Sequence, residues 1–391
     1  MNRIHCLCAA TLLLALAAPA SSQSLFGTRG LGVLAPPVDA RGAALGGIGV
    51  GLIGFHTSLT NPAEIAGVTR RGVSVVLQPV STSAEADGES DNISGTRFPV
   101  LRIIYPVNER LVASLAYGSY LDQSWSIITE TAQVVGDQTV TARDQLSSTG
   151  GIAQFRVGAA YTLSPTLAVG AAAGLLTGNV ERTATRRFVD DTTGTLRPFE
   201  ERLRWTYMAP LASLGVRWDV AGVARIGASA MIAGNVEADV RQGLAESRTY
   251  GAPLELAAGA STRFGPLLTA NAGAVWSRPP TTEGETTSRE TVRVGGGLEY
   301  QGVRSGVRTY PIRIGARWGQ LPYHLATETP PTEWSAGAGI GFRLGEPANP
   351  AALADISIER GTRSGLDGGI VAGGVREQSW RLTFSLSLFG N

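Results

Sequence analysis

Lysine is absent from this chain. All 33 basic residues among the 391 are arginine, set against 32 Asp and Glu, and the formal charge is +1. A chain without a basic surplus lacks the surface that displaces counterions from a nucleic-acid backbone, so nucleic acid is excluded as a partner. Cysteine is almost absent: the two, Cys6 and Cys8, both stand near the start. The body therefore carries no disulfide and no thiolate zinc site. Histidine numbers three, and those beyond the start, His56 and His324, are far apart in sequence, whereas zinc needs three or four ligands. Past the N-terminus no apolar run reaches about 18 residues, so no helical span is expected. The 50 glycines follow no triplet period, which excludes collagen. With 17% charged and 43% hydrophobic residues the chain is not disordered.

The first residues read as an export leader. Arg3 and His5 precede the apolar run 6–18, and Ala18-Pro19-Ala20 is a small-x-small cleavage site. Residues 1–22 are expected to be a signal peptide, and both cysteines leave with it.

Beyond residue 71 the hydrophobic pattern has period two. Trp380, Leu382, Phe384, Leu386 and Leu388 share one face, and Arg381, Thr383, Ser385 and Ser387 the other. Side chains of a strand alternate between faces, so one face is oily and the other wet. The pattern recurs in 334–343, 312–318 and 155–162. It predicts fourteen strands, near 72–80, 97–105, 110–121, 151–162, 166–181, 203–219, 224–238, 252–263, 267–277, 290–301, 307–318, 333–343, 351–360 and 378–389. Their connections alternate between short and long, and the long ones (81–96, 122–150, 182–202, 239–251, 278–289, 319–332, 361–377) carry most of the Asp, Glu and Thr. An even strand number with one short rim and one long rim predicts an all-β protein, a 14-stranded antiparallel transmembrane β-barrel of the outer-membrane kind. Lipid offers no hydrogen bonds, so a sheet spans only by closing on itself. Both termini are expected on the short-turn, periplasmic side, in the outer membrane of a Gram-negative-type bacterium. Strands about 4.8 Å apart and tilted roughly 40° give a bore about 28 Å across. Such a bore conducts water unless it is plugged.

Residues 26–71 do not alternate and are too apolar to trail in water. The lumen is their expected place, as a hatch formed by 23–71 ahead of a barrel formed by 72–391. Two stretches here carry a resemblance. The run from Ala40 to Val50 (ARGAALGGIGV), followed by Thr60-Asn61-Pro62-Ala63-Glu64-Ile65-Ala66-Gly67, resembles the N-terminal signature of the outer-membrane long-chain fatty-acid transporter (FadL-like) superfamily, and within it the PorV/PorQ-like branch. Residues 354–361 and 377–388 are similar to the closing hairpin of that superfamily. The resemblance implies a fourteen-stranded barrel with an N-terminal hatch. In it Gly42, Gly46 and Gly47 would form tight turns, and Asn61, Pro62 and Ala63 would hold the hatch. Two functions follow. One is passive uptake of hydrophobic or amphipathic small molecules; the other is a non-conducting scaffold or shuttle for type IX secretion and surface attachment of cargo proteins. Glu64-Ile65 departs from the Gly-Leu usual in the family.

The wet faces carry an unusual set of charges: Arg102, Arg156, Arg217, Arg225, Arg293, Arg313, Arg317, Arg343 and Arg381, with Glu255, Glu299, Asp355 and Glu359. A charge facing lipid costs about 2–4 kcal/mol at mid-depth, so these are expected to line the lumen. They suit either an anion path or a salt-bridged network that pins the hatch, and the second is favoured because buried charges need partners. Pro210, inside the sixth strand, removes a ladder donor and marks a candidate irregularity of the wall. Gly47, Gly49 and Gly51 mimic a dinucleotide fingerprint, but no buried parallel strand precedes them. His324 with Glu328 and Glu333, and the pair Asp190-Asp191, read as solvated loop residues. No enzyme activity, cofactor or metal is expected. The expected partners are outer-membrane lipid, the transported molecule or cargo, and the barrel-assembly machinery, whose recognition signal the last strand resembles.

Overall fold

The computed structural model describes residues 24–390 except 29, 87–88, 136–137, 190–195, 282–288, 306–307, 324–329, 347–349 and 366–374. The proposed leader, Asp190-Asp191, His324 and Glu328 lie outside the described residues.

Fourteen antiparallel strands form one closed ring. In chain order they are β1 (Gly72–Ala86), β2 (Glu89–Pro106), β3 (Leu111–Asp122 continued by Trp125–Val135), β4 (Gln138–Ser164), β5 (Leu167–Phe188), β6 (Phe199–Val220) and β7 (Ala224–Ala233 continued by Val236–Gln242). Then come β8 (Arg248–Tyr250 and Leu254–Phe264), β9 (Leu268–Arg278), β10 (Thr291–Ser305), β11 (Arg308–Gln320), β12 (Thr332–Gly345), β13 (Pro350–Gly365) and β14 (Val375–Phe389). Each strand pairs with its sequence neighbour, and β14 closes on β1 with Leu388 opposite Val73. Ring closure leaves the wall with no sheet edge facing lipid over the paired length, which is the condition for spanning a membrane.

The oily faces point outward. Ile103, Val157, Leu214, Ile314 and Ile358 are all more than 45% exposed, an arrangement water would penalise and lipid favours. Aromatic residues gather in two belts at the ends of this band. Tyr105, Tyr161, Trp218 and Tyr300 lie toward the short turns, and Trp318, Trp334 and Trp380 toward the other rim; all are exposed.

The long connections are mostly strand. The segments 81–96 and 122–150 continue as β-ladders, as far as Ala86 opposite Glu89 and Val135 opposite Gln138. They carry little hydrophobic alternation because polar residues occupy both faces: Thr129, Glu130, Thr131 and Ala132 are exposed in succession, although Thr82, Ala84, Val140 and Ala142 are buried. Hydrophobic periodicity falls silent where both faces are built of polar residues.

Two places interrupt the wall. The β2–β3 ladder stops at Val100 opposite Gly118. Above it β3 breaks at Gln123-Ser124, and a two-residue strand from the N-terminal segment, Val33–Leu34, pairs with Asp122 and Leu121 instead. Beside this seam lies a cleft of about 490 Å³ lined by Phe98, Tyr117, Ile152 and Asn179. The second place surrounds Pro210. Strand β6 runs through it unbroken, but its partner bulges, with three residues of β7 (234–236) opposite Ala209 and Pro210. Gly234 N–H donates to the Pro210 carbonyl at 2.8 Å.

Residues 24–71 pack against the wet faces of the wall. A short helix α1 (Ala40–Ala44) lies against β11–β14, and a 3₁₀ turn, Pro62–Ile65, lies against β4–β6. Asp39 caps α1, its Oδ1 accepting from Gly42 N at 2.7 Å, while its Oδ2 accepts from Thr57 N at 2.7 Å. Asn61 caps the turn, with Pro62 at its first position; its Oδ1 accepts from Ala63 N at 2.9 Å. The segment meets the wall backbone to backbone. Gly46 has φ +92°, and a methyl group on Gly295 of β10 would stand 2.2 Å from the Gly46 carbonyl oxygen. The body of the barrel begins and ends at the short-turn rim, where Gly72 pairs with Phe389. Ser24, by contrast, lies toward the opposite rim, its hydroxyl donating to Glu377 near the start of β14.

Candidate functional site

The site is the interior of the ring, where wall charges meet the N-terminal segment. Four wall arginines donate to backbone carbonyls of that segment. Arg102 of β2 reaches Ser58 O at 3.1 Å and Arg156 of β4 reaches Leu59 O at 3.0 Å. Arg217 of β6 reaches Ala66 O at 2.7 Å and Arg225 of β7 reaches Leu52 O at 3.1 Å. Carbonyls that the segment leaves unpaired by local structure thus find cationic donors, which make stronger bonds than neutral ones. Asp219 accompanies the last two, 3.2 Å from Arg217 and 2.6 Å from Arg225.

A second group ties α1 to the wall through side chains. Arg41 lies 2.9 Å from Glu299, which also holds Arg313 at 2.6 Å; Arg313 in turn holds Asp355 at 2.5 Å. The remaining donors of Arg41 reach Ile53 O at 2.6 Å and Phe55 O at 3.3 Å. Burial pulls the Arg41 guanidinium down, but Glu299, with Asp355 and Asp39, outweighs it and holds the group above its ordinary value.

A third group lies toward the long-strand rim. Glu359 takes Arg317 at 2.6 Å and Arg381 at 3.6 Å. Glu333 takes Arg381 at 2.6 Å, Arg317 at 3.0 Å and Arg363 at 2.6 Å. Arg363 lies 3.5 Å from Glu377, which accepts from Leu25 N at 2.6 Å. Elsewhere Arg293 pairs with Glu255 at 3.3 Å, and Arg97 with Asp122 across the seam at 2.7 Å. Arg343, near the short-turn end of β12, is exposed and makes no ion pair among the described residues.

Glu64 sits between segment and wall with a fully buried side chain. Its Oε1 accepts from Gly51 N at 2.8 Å, and its Oε2 lies 3.6 Å from His56 Nε2 and 3.8 Å from Arg225. Burial pushes this carboxyl up, but His56, the Gly51 amide and Arg225 together pull it further down, so it ends below its ordinary value. Among the described residues no group of three His, Cys, Asp or Glu is placed to hold a metal ion.

Sequence reasoning did not single out Arg41, Arg363 or Glu377; it read Glu333 as a solvated loop residue, whereas Glu333 stands in β12 and is largely buried among three arginines, and it treated Glu64 only as a departure from a motif. Arg41 and Glu64 stand in a stretch without periodicity, so nothing assigned them a facing side. Arg363 and Glu377 fell within a span read as loop. The usable signal was charge itself: buried carboxylates and guanidinium groups occur in compensating numbers.

Several solved structures share this fold. A FadL homologue of Pseudomonas aeruginosa superposes with a TM-score of 0.58 at 14% identity, over 91% of this chain and 98% of that one. The toluene transporter TodX of Pseudomonas putida gives 0.54 at 12% identity, over 90% and 98%. At such identities the likeness is one of fold: the chain is a closed fourteen-stranded antiparallel barrel similar to these. No curated protein matches it in sequence. The family model described as BamG matches residues 1–207. With more than half of its length covered by that model, the chain belongs to the BamG family.

Proposed function

We propose that this chain is an outer-membrane barrel closed by its own N-terminal segment, and that it serves as a non-conducting scaffold at the barrel-assembly machinery. In this reading 1–22 are the signal peptide, 23–71 the hatch and 72–391 the barrel, with the short-turn rim in the periplasm and lipid around the oily band. The carrying observation is the set of wall arginines bonded to carbonyls of residues 52–66. Cations so engaged hold a plug and leave no continuous anion path. Gly42, Gly46, Gly47, Asn61, Pro62 and Ala63 shape the hatch, and the lumen charges fasten it. The family name BamG supports the partner, and catalysis has no part in the reading. A scaffold role in type IX secretion rests on the PorV/PorQ-like resemblance alone.

The second reading is passive uptake of hydrophobic molecules. It is favoured by the cleft at the β2–β3 seam, where an apolar compound would leave the lumen sideways. Two measurements separate the readings: cross-linked co-purification from native membranes, and planar-bilayer conductance of the mature chain with and without residues 26–66. Capture of the central barrel-assembly subunit, a closed intact protein and a steady pore after deletion are the expected results. An intact protein that conducts steadily would overturn the hatch. A closed protein that takes up an apolar probe and captures no assembly subunit would favour transport, whereas capture of a secreted cargo protein would favour type IX secretion.

A further inference from the structure

A cavity of about 330 Å³ opens at the short-turn rim, between residues 53–55 and the ends of β8–β13. Its volume lies within the range of about 300–1,000 Å³ that small-molecule sites occupy. Four guanidinium groups line it (Arg41, Arg263, Arg313 and Arg343) against two carboxylates, Glu299 and Asp355. Arg41 and Arg313 are spent on those carboxylates. Arg343 has no ion pair among the described residues, and Arg263 donates to a single backbone carbonyl, Gly222 O, at 3.0 Å. The cavity therefore carries two uncompensated positive charges at its mouth. Phe55, Pro311 and Leu353 supply an apolar wall beside them.

We propose that this cavity binds a small amphipathic anion, a carboxylate or phosphate on an apolar body, entering from the short-turn side. Arg343 and Arg263 take the anionic group; Phe55 and Leu353 take the body. The floor of the cavity is the segment 53–55, which Arg41 holds, so an occupant also braces that segment against the wall. The site is separate from the seam and from the partner reading above. It requires neither conduction nor an assembly complex, so its failure and theirs are distinguishable.

The test is calorimetric titration of the folded, detergent-solubilised mature chain with three probes: phenyl phosphate, benzoate and the neutral benzyl alcohol. Both anions are expected to bind at least tenfold more tightly than the alcohol, and their ratio shows which anion the site prefers. Arg343→Ala combined with Arg263→Ala is expected to weaken both anions by at least tenfold, since each lost charged hydrogen bond has about that weight, and to leave the alcohol unchanged. Both side chains are exposed, and a heat-modifiable gel shift verifies that the variant is folded. Arg343→Lys is expected to retain most of the affinity. The proposal is overturned if no anion binds, if the alcohol binds as tightly, or if the double variant binds as the parent does.

Discussion

At the residue scale, Arg41 ties the N-terminal segment both to the wall and to itself. It bonds at once to a wall carboxylate and to two carbonyls of its own segment. Arg41→Ala is expected to cost about 3 kcal/mol, the lower end for removing one partner of a buried pair, because Arg313 still holds Glu299. Urea unfolding measures that loss. Glu64 makes the second prediction. Its carboxyl is held below the ordinary value of 4.5 in the folded chain. A group so depressed contributes stability that is fully present above that value and is lost as pH falls through the folded one. Thermal stability of the parent is expected to drop below about pH 4.5 more steeply than that of Glu64→Gln, which has no such proton to take up. Parallel curves for the two proteins would show that the depressed carboxyl is not coupled to folding.

At the scale of elements, the turn Pro62–Ile65 shows how wall and segment were fitted together. Asn61 caps it and also donates through Nδ2 to Val216 O at 3.0 Å. Gly215 makes room: a methyl group there would stand 1.9 Å from Asn61 Oδ1. Gly215→Val is therefore expected to leave a closed, heat-modifiable barrel whose segment amides have lost hydrogen-exchange protection. Asn61→Ala is the milder change, with about 1 kcal/mol lost from the cap and roughly fivefold faster exchange at Ala63 and Ala66. The cap was legible in the sequence because Asn-Pro is a local signal. The matching glycine on β6, distant in sequence, was not. In the same way every strand centre was legible from its alternation, while the tall extensions of β3, β4 and β5 were not, because polar residues occupy both of their faces.

At the scale of the whole molecule, closure of the ring and the oily band act together. Ile314 is 54% exposed at the middle of that band. Ile314→Arg is expected to lower the stability of the barrel folded into vesicles by about 2–4 kcal/mol. Thr131→Arg, exposed on the extension of β3 beyond the band, is expected to change it by less than about 0.5 kcal/mol. Equal effects would mean that the band does not sit in lipid. The interior obeys a different balance, since its charges face one another and the segment instead of lipid. Arg313, Arg317 and Arg381 each stand within 3.0 Å of a carboxylate.

The sequence alone determined the fourteen strands, their order, which face of each is oily and the ring they must close, because period-two burial is a local property that survives without the third dimension. It also marked the N-terminal stretch as something other than wall. Only the tertiary structure decided which charges meet. Glu299 and Arg41 are 258 residues apart, and nothing local brings them together. Closing the ring brings β10 within reach of α1, and a buried ion pair forms because charges deprived of water need partners.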